Sequence, residues 1–138
     1  MLDLCVQKQL SPKLDVMFVD EAQDLSPLQW RLVELLASNS QRVYIAGDDD
    51  QAIFRWAGAD VDHLVGISKE NARILDQSYR IPRSVHRIAD GIIRRVKTRT
   101  DKTWNPRQEE GQVISEASFE HVDLSSGDWL ILSRSNYY

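Results

Sequence analysis

Two stretches of the chain are apolar without alternation: "DVMFV", ending at Val19, and "RVYIAG", from Arg42 to Gly47. A continuous run is the pattern of a strand covered on both faces of a parallel sheet, so Asp15 to Val19 and Arg42 to Gly47 each predict a short buried strand. Between them Leu28, Leu32, Leu35 and Leu36 recur at helical spacing and predict a helix with one face on that sheet. Ser26, Pro27 and Gln29 mark its start, as N-cap, proline at the first helical position and capping-box partner. The "SNSQ" break ends it. Strand, helix and strand within about 30 residues make a βαβ unit, which implies parallel strands and a right-handed crossover.

Beyond Gly58 the pattern predicts a short helix capped by Asp60 or Asp62, with Val61, Leu64 and Val65 inward. "ARIL" (Ala72 to Leu75) reads as a third strand running into "DQSYRIP". Val85, Ile88, Ala89, Ile92, Ile93 and Val96 follow the i, i+3, i+4, i+7 rule and predict a helix. From Thr98 to Gly111 the chain turns polar and reads as a linker or long loop. "QVISEAS" and "DWLILSR" predict two closing strands in a different sheet.

Composition narrows the class. With 138 residues, 42% hydrophobic and 28% charged, the chain can bury a core, as one domain or one domain and part of another. Its longest apolar runs fall far short of the roughly 20 residues of a membrane helix, and no membrane partner is expected. "MLDLCVQKQLSPK" lacks the basic, apolar and small-residue segments of a secretory signal, so a cytoplasmic protein is expected. Cys5, the one cysteine, has no disulfide or zinc partner and reads as a small core residue.

A net charge of −4 is not the footprint of an autonomous nucleic-acid binder. The local distribution says more. Acid gathers in "DEAQD" and "DDD", and base between Arg80 and Lys102, so one part suits cations and another phosphates.

Asp20 and Glu21 follow the first strand at its carboxyl end, where ligands of α/β sheets bind. A carboxylate there can hold Mg²⁺ beside a nucleotide phosphate, and a neighbouring Glu can orient and deprotonate water. A solvated acidic loop is the plainer alternative, and the second block weighs against it. "AGDDDQAIFRWAGAD" (Ala46 to Asp60) again follows a strand. The Gln51 amide can sense a γ-phosphate, while Phe54 and Trp56, flanking Arg55, can stack on bases.

These residues carry a family resemblance. "VDEAQDLS" resembles the Walker B motif II of superfamily 1 DNA helicases of the UvrD/Rep type, "GDDDQAIFRWAGAD" resembles motif III and "LDQSYRIP" resembles motif IV. "WLILSRSN" is similar to the segment opening the next motif. The resemblance covers about Val16 to Asn136. It implies Asp20 on Mg²⁺ with Glu21 beside it, Glu21 as catalytic base, and Gln51 as the γ-phosphate sensor linking ATP to DNA. It implies Tyr79 on the adenine of ATP, Arg80 on the γ-phosphate, and Phe54, Arg55 and Trp56 on single-stranded DNA. Asp24 reads as a brace for the surrounding loops. The chain departs from the family pattern at Phe54, usually tyrosine, at Ala57, often arginine, and at Ser78, mostly asparagine.

A phosphate-cradling P-loop needs G-x-x-x-x-G-K-[ST]. The six glycines here are followed by Asp48, Ala59, Ile67, Ile92, Gln112 and Asp128, never by lysine. The expectation is therefore an excerpt of α/β class: residues 1–80 as the back part of a RecA-like ATP-binding domain, and residues 81–138 as the start of a second RecA-like domain. The resemblance implies a 3′ to 5′ ATP-dependent translocase, or a helicase–nuclease subunit, whose partners are single-stranded DNA, ATP and the remainder of the helicase chain. Alone, the excerpt is expected to be inactive. The competing class is a non-catalytic nucleic-acid or protein interaction module derived from a helicase. Unpaired strand edges also leave self-association open.

Overall fold

A computed structural model of the chain describes residues 1–67 and 71–132. Its ordered centre is a βαβ unit. Strand β1 (Leu14–Val19) and strand β2 (Ser40–Ile45) pair in parallel, with Val16 opposite Arg42 and Phe18 opposite Tyr44. Helix α2 (Pro27–Ala37) connects them and packs on both. Its capping box forms as expected: the Ser26 hydroxyl accepts from the Gln29 N–H, and the Gln29 side chain accepts from the Ser26 N–H at 2.8 Å. Helix α1 (Leu2–Gln7), which no pattern above anticipated, lies against α2.

Trp30 organises this unit. The ring is only 2% exposed, and its indole N–H donates to the Asp60 carbonyl at 3.2 Å. It stacks on His63 with centroids 4.3 Å apart, and His63 in turn lies 3.4 Å from the Glu34 carboxylate. Helix α3 (Val61–Gly66) is thereby held on α2, with Val61 buried and Asp60 as its N-cap, accepting from the His63 N–H. Met17, Ala22, Trp30 and Val61 are the buried apolar residues among those described.

The strands are not buried on both faces as their apolar runs suggest. Successive side chains of a strand point to opposite faces, and α2 supplies cover for one. Met17 is buried, whereas its neighbour Phe18 is 76% exposed, stacked on Tyr44 with ring centroids 5.0 Å apart.

The other three expected strands do not form among the described residues. "ARIL" and "QVISEAS" are irregular, as is the described part of "DWLILSR" through residue 132; its last residues lie outside the described set. An apolar run becomes a strand only where a neighbour supplies the ladder. Here Leu75, Ile114 and Leu130 are exposed, and the one bridge outside β1–β2 among the described residues joins Gln77 to Asn105.

Helix α4 (Arg83–Ile93) forms as predicted but stops short of Val96, and none of its residues is buried. Pro82 gives it no side-chain cap, so the first amides turn elsewhere: Arg83 and Ser84 N–H donate to the Glu109 and Glu110 carbonyls at 3.1 and 2.9 Å. Gly111 makes the approach possible. Its φ is +68°, and a Cβ there would lie 2.6 Å from Pro82 Cβ. The polar stretch Thr98 to Gly111 is irregular, yet it is bonded along its length and is not a free linker.

Trp30→Ala should lower the unfolding free energy by about 3–5 kcal/mol, as for a large aromatic removed from a core. Urea unfolding followed by circular dichroism measures it, and a loss under 1 kcal/mol would show that α3 is held some other way.

Candidate functional site

The site is built where β1 and β2 end side by side. Ala46 N–H donates to the Val19 carbonyl at 2.8 Å and Ala22 N–H to the Ala46 carbonyl at 3.0 Å, which joins the two strand-end loops. Glu21 adopts the left-handed conformation at φ +51°, one of two non-glycine residues with positive φ among those described. Such a residue costs on the order of 1–3 kcal/mol and persists where its surroundings over-determine it.

Those surroundings are specific. Asp20 accepts the Glu21 N–H at 2.9 Å, and Glu21 accepts from Gln23 Nε2 at 2.6 Å. Gln23 is 1% exposed, and its Oε1 accepts the Asp48 N–H at 3.0 Å. One buried amide therefore spans from the first carboxylate loop to the second. Gly47 gives it room, because a Cβ there would sit 2.9 Å from Gln23 Oε1 and 3.2 Å from the Ala22 nitrogen. Gln23 was passed over in the sequence, where it reads as one polar letter inside an acidic motif. Its signal was the pairing of a glutamine in one strand-end loop with a glycine in the next.

Asp48 carries the connection onward. Its Oδ2 accepts from Gln51 Nε2 at 2.6 Å and its Oδ1 from Lys102 Nζ at 2.7 Å. Lys102 also pairs with Asp49, whose other oxygen accepts the Thr100 N–H. Arg99 closes on Asp50 with two hydrogen bonds, Nε at 2.8 Å and Nη2 at 2.9 Å. Burial raises the Asp48 pKa, but the Gln51 and Lys102 hydrogen bonds outweigh it and the net shift is downward. Burial likewise opposes the charge on Lys102, and Asp48 and Asp49 reverse that to leave its pKa raised. The hydrogen bond to Asp50 raises Arg99. The separation into a cation-binding and a phosphate-binding part is thus corrected for "DDD", Arg99 and Lys102, which neutralise one another within the chain.

Phe54, Arg55 and Trp56 follow on a 3-10 turn, Arg55–Ala57, with Arg55 paired to Asp62. Trp56 is 84% exposed and Phe54 is exposed beside it, so neither ring is a core residue. Tyr79 and Arg80 lie on a separate turn, Tyr79 being 85% exposed. No hydrogen bond or ion pair among the described residues joins either side chain to Asp20, Glu21 or Gln51. Ser78 Oγ accepts from the Arg80 and Ile81 amides at 3.4 and 3.1 Å, so serine makes the local turn contacts at a position where asparagine is usual. The brace expected of Asp24 is not seen: its Oδ1 is buried without a hydrogen-bond partner among the described residues.

The family model for the UvrD/REP helicase N-terminal domain matches residues 3–72, the stretch that holds the strand-end carboxylates, the Gln51 loop and the exposed aromatics. The chain belongs to the UvrD/Rep helicase family. It is 36% identical over 107 residues to the ATP-dependent DNA helicase PcrA of Bacillus subtilis, covering 75% of this chain and 14% of that protein. PcrA of Staphylococcus aureus strain Mu50 is 34% identical over 94 residues, covering 65% of this chain and 13% of the relative. A probable DNA helicase II homolog of Mycoplasma capricolum is 30% identical over 104 residues, covering 72% of this chain and 14% of the relative. The chain therefore spans about one seventh of the length of these UvrD/Rep relatives. No helix among the described residues is long and apolar enough to cross a membrane.

The pKa directions give a pH window. Asp48, depressed in the folded chain, contributes stability that is complete above its ordinary value of 3.8 and lost as pH falls through the lower folded value. Lys102, raised, contributes stability that is complete below 10.5 and lost as pH rises through the higher folded value. A carbon-13 NMR titration should place the Asp48 carboxyl midpoint below 3.8, and a midpoint at or above it would mean the Gln51 and Lys102 contacts are not kept in solution.

Proposed function

We propose that the chain carries the hydrolysis and DNA-coupling segment of an ATP-dependent helicase that moves 3′ to 5′ on single-stranded DNA. Residues 1–80 are taken to belong to its first RecA-like domain and residues 81–138 to the second. The observation that carries the reading is the Glu21–Gln23–Asp48–Gln51 network at the paired strand ends. A surface acidic loop has no need of a buried amide held between two carboxylate-bearing turns.

The donor set fits Mg²⁺. Asp20 and Glu21 offer oxygen ligands only, and Mg²⁺ in nucleotide sites takes one or two carboxylates, with waters and phosphates completing the shell. No group of three or more candidate ligands forms among the described residues, so the protein alone makes no cage. Bound beside ATP, the ion would neutralise charge on the transferred phosphate. Asp20 is the residue to hold it. Glu21, exposed and hydrogen-bonded to Gln23, is the base we assign to the proton of the attacking water. Gln51 presents its amide from the neighbouring loop, Arg80 supplies permanent positive charge, and Tyr79 offers an exposed ring face for adenine. Phe54 and Trp56 give sequence-indifferent stacking for bases, with Arg55 alongside.

The competing reading, an interaction module without turnover, keeps Trp56 and discards Glu21. Two substitutions in a protein of the relatives' length separate them. Glu21→Gln retains shape and an amide but removes the base. ATP binding should persist while steady-state hydrolysis falls on the order of 10²-fold or more. Undiminished hydrolysis in that variant would remove Glu21 from the mechanism.

Trp56→Ala should weaken binding of a single-stranded oligonucleotide by about 1–3 kcal/mol, the value of one stacking platform, and leave nucleotide affinity without DNA unchanged. Arg80→Ala should do the reverse, cutting turnover by about 10³-fold or more with DNA affinity kept. Fluorescence titration and hydrolysis assays read the two effects. Equal DNA affinity in Trp56→Ala would assign the ring to some other surface role.

A further inference from the structure

We infer that the segment from Arg99 to Asn105 is a strap that positions the active site, and that Lys102 is the positioning residue for Gln51, acting through Asp48. The inference rests on the helicase reading of Gln51 and goes beyond it, to a segment that reads as polar linker in the sequence.

The strap is bonded at both ends to turns that carry proposed ATP contacts. At its start, Arg99, the Thr100 amide and Lys102 take up the carboxylates of Asp48, Asp49 and Asp50, and Gln51 follows directly. At its end, Asn105 N–H donates to the Asp76 carbonyl, the Asn105 carbonyl accepts the Ser78 N–H at 2.8 Å, and Gln77 pairs with Asn105 in a parallel bridge. Tyr79 and Arg80 follow that bridge. Trp104 lies edge-on to His86 with centroids 4.2 Å apart, which fixes the same strap to α4. The loop bearing Gln51 and the turn bearing Tyr79 and Arg80 are both bonded to this one segment.

Within the strap, Lys102 has the position that matters to chemistry. Gln51 Nε2 and Lys102 Nζ hold opposite oxygens of the Asp48 carboxylate. The ammonium, with the Asp50 N–H that donates to the same oxygen at 3.2 Å, therefore fixes the rotation of that carboxylate, and the carboxylate fixes the amide of Gln51. A solvent-exposed ion pair would do little of this, but Lys102 is half-buried, Asp49 beside it is buried, and the pair shares a network with Arg99 and Asp50. Removing the ammonium leaves three adjacent carboxylates with one cation.

The test is a double-mutant cycle in a protein of the relatives' length, with DNA-stimulated ATP hydrolysis as readout. Lys102→Met should lower kcat at least about tenfold, as for a misplaced catalytic group, with the KM for ATP within about twofold. Lys102→Arg should recover most of the loss. In a Gln51→Ala background Lys102→Met should have almost no further effect, because its action passes through Gln51. Additive losses would overturn the positioning role. If Lys102→Met does not fold, Lys102→Gln, which keeps an amide donor without charge, takes its place in the cycle. A second readout needs no activity: the side-chain amide resonances of Gln51 in nitrogen-15 NMR spectra of this chain should shift in Lys102→Met. Unchanged resonances would overturn the strap whatever the hydrolysis rate. Shifted resonances in this chain, together with no ATP hydrolysis by the wild-type protein of the relatives' length, would leave the strap standing and refute the helicase reading.

Discussion

The site depends on one buried amide. Gln23 donates to the Glu21 carboxylate and accepts from the Asp48 N–H, so one planar side chain, beside the backbone bonds at Ala22 and Ala46, ties together two loops that leave different strands. An amide suits this place because it offers a donor and an acceptor at fixed geometry without bringing charge into a buried position. A carboxylate in its stead would face Glu21 with like charge and no donor. The same constraint explains Gly47: the loops approach so closely over Gln23 that no side chain fits. It also bears on the strained backbone of Glu21, whose left-handed conformation is held by the Gln23 contact, by Asp20 on its own N–H, and by its carbonyl accepting from Asp24 N–H.

Electrostatics extends this arrangement across the chain. Three consecutive aspartates would repel one another at the mouth of a strand, and their cost falls on whatever must sit beside them. The chain places two cations and a backbone amide there from about 50 residues downstream. A carboxylate accepting fixed hydrogen bonds from partly buried donors is a stiffer object than one in water, since low local dielectric strengthens each bond and deprives the carboxylate of alternative partners. The acidic loop gains definition from the neutralisation. Gln51, at its end, inherits that definition while its own side chain stays exposed.

The βαβ unit was legible because its signals are local. The capping box at Ser26 and Gln29, the leucine stripe of α2 and the two apolar runs each act within a few residues, and the structure forms all of them. The position of the carboxylates at the strand ends was legible for the same reason, since a carboxylate following a strand is placed by the strand. Three of the predicted strands failed because a strand is a relation between two segments. "ARIL" and "QVISEAS" have suitable side chains and no partner ladder among the described residues. The strap failed in the opposite sense. Its composition is that of a loop, and nothing in "TRTDKTWN" announces that Arg99 and Lys102 belong to "DDD"; only charge complementarity over a long separation could have suggested it.

That last contrast bears on how function is distributed in this fold. The residues proposed to touch a ligand sit at strand ends and on turns, where motifs record them. The residues that hold those groups in place are less conspicuous: Gln23 and Asp48 sit inside the motifs as bystanders and Lys102 in a segment with no motif, and they act through hydrogen bonds whose partners lie 25 to 54 residues apart in the chain. A motif match can identify Glu21 and Gln51 as a pair, but it is silent on what makes them one object. In this chain the pairing is physical: Glu21 to Gln23, Gln23 to the Asp48 backbone, and the Asp48 carboxylate to Gln51 and Lys102. Since Asp48 contributes its amide to one side of that path and its carboxylate to the other, a displacement of the strap reaches the Glu21 loop through the movement of a single residue.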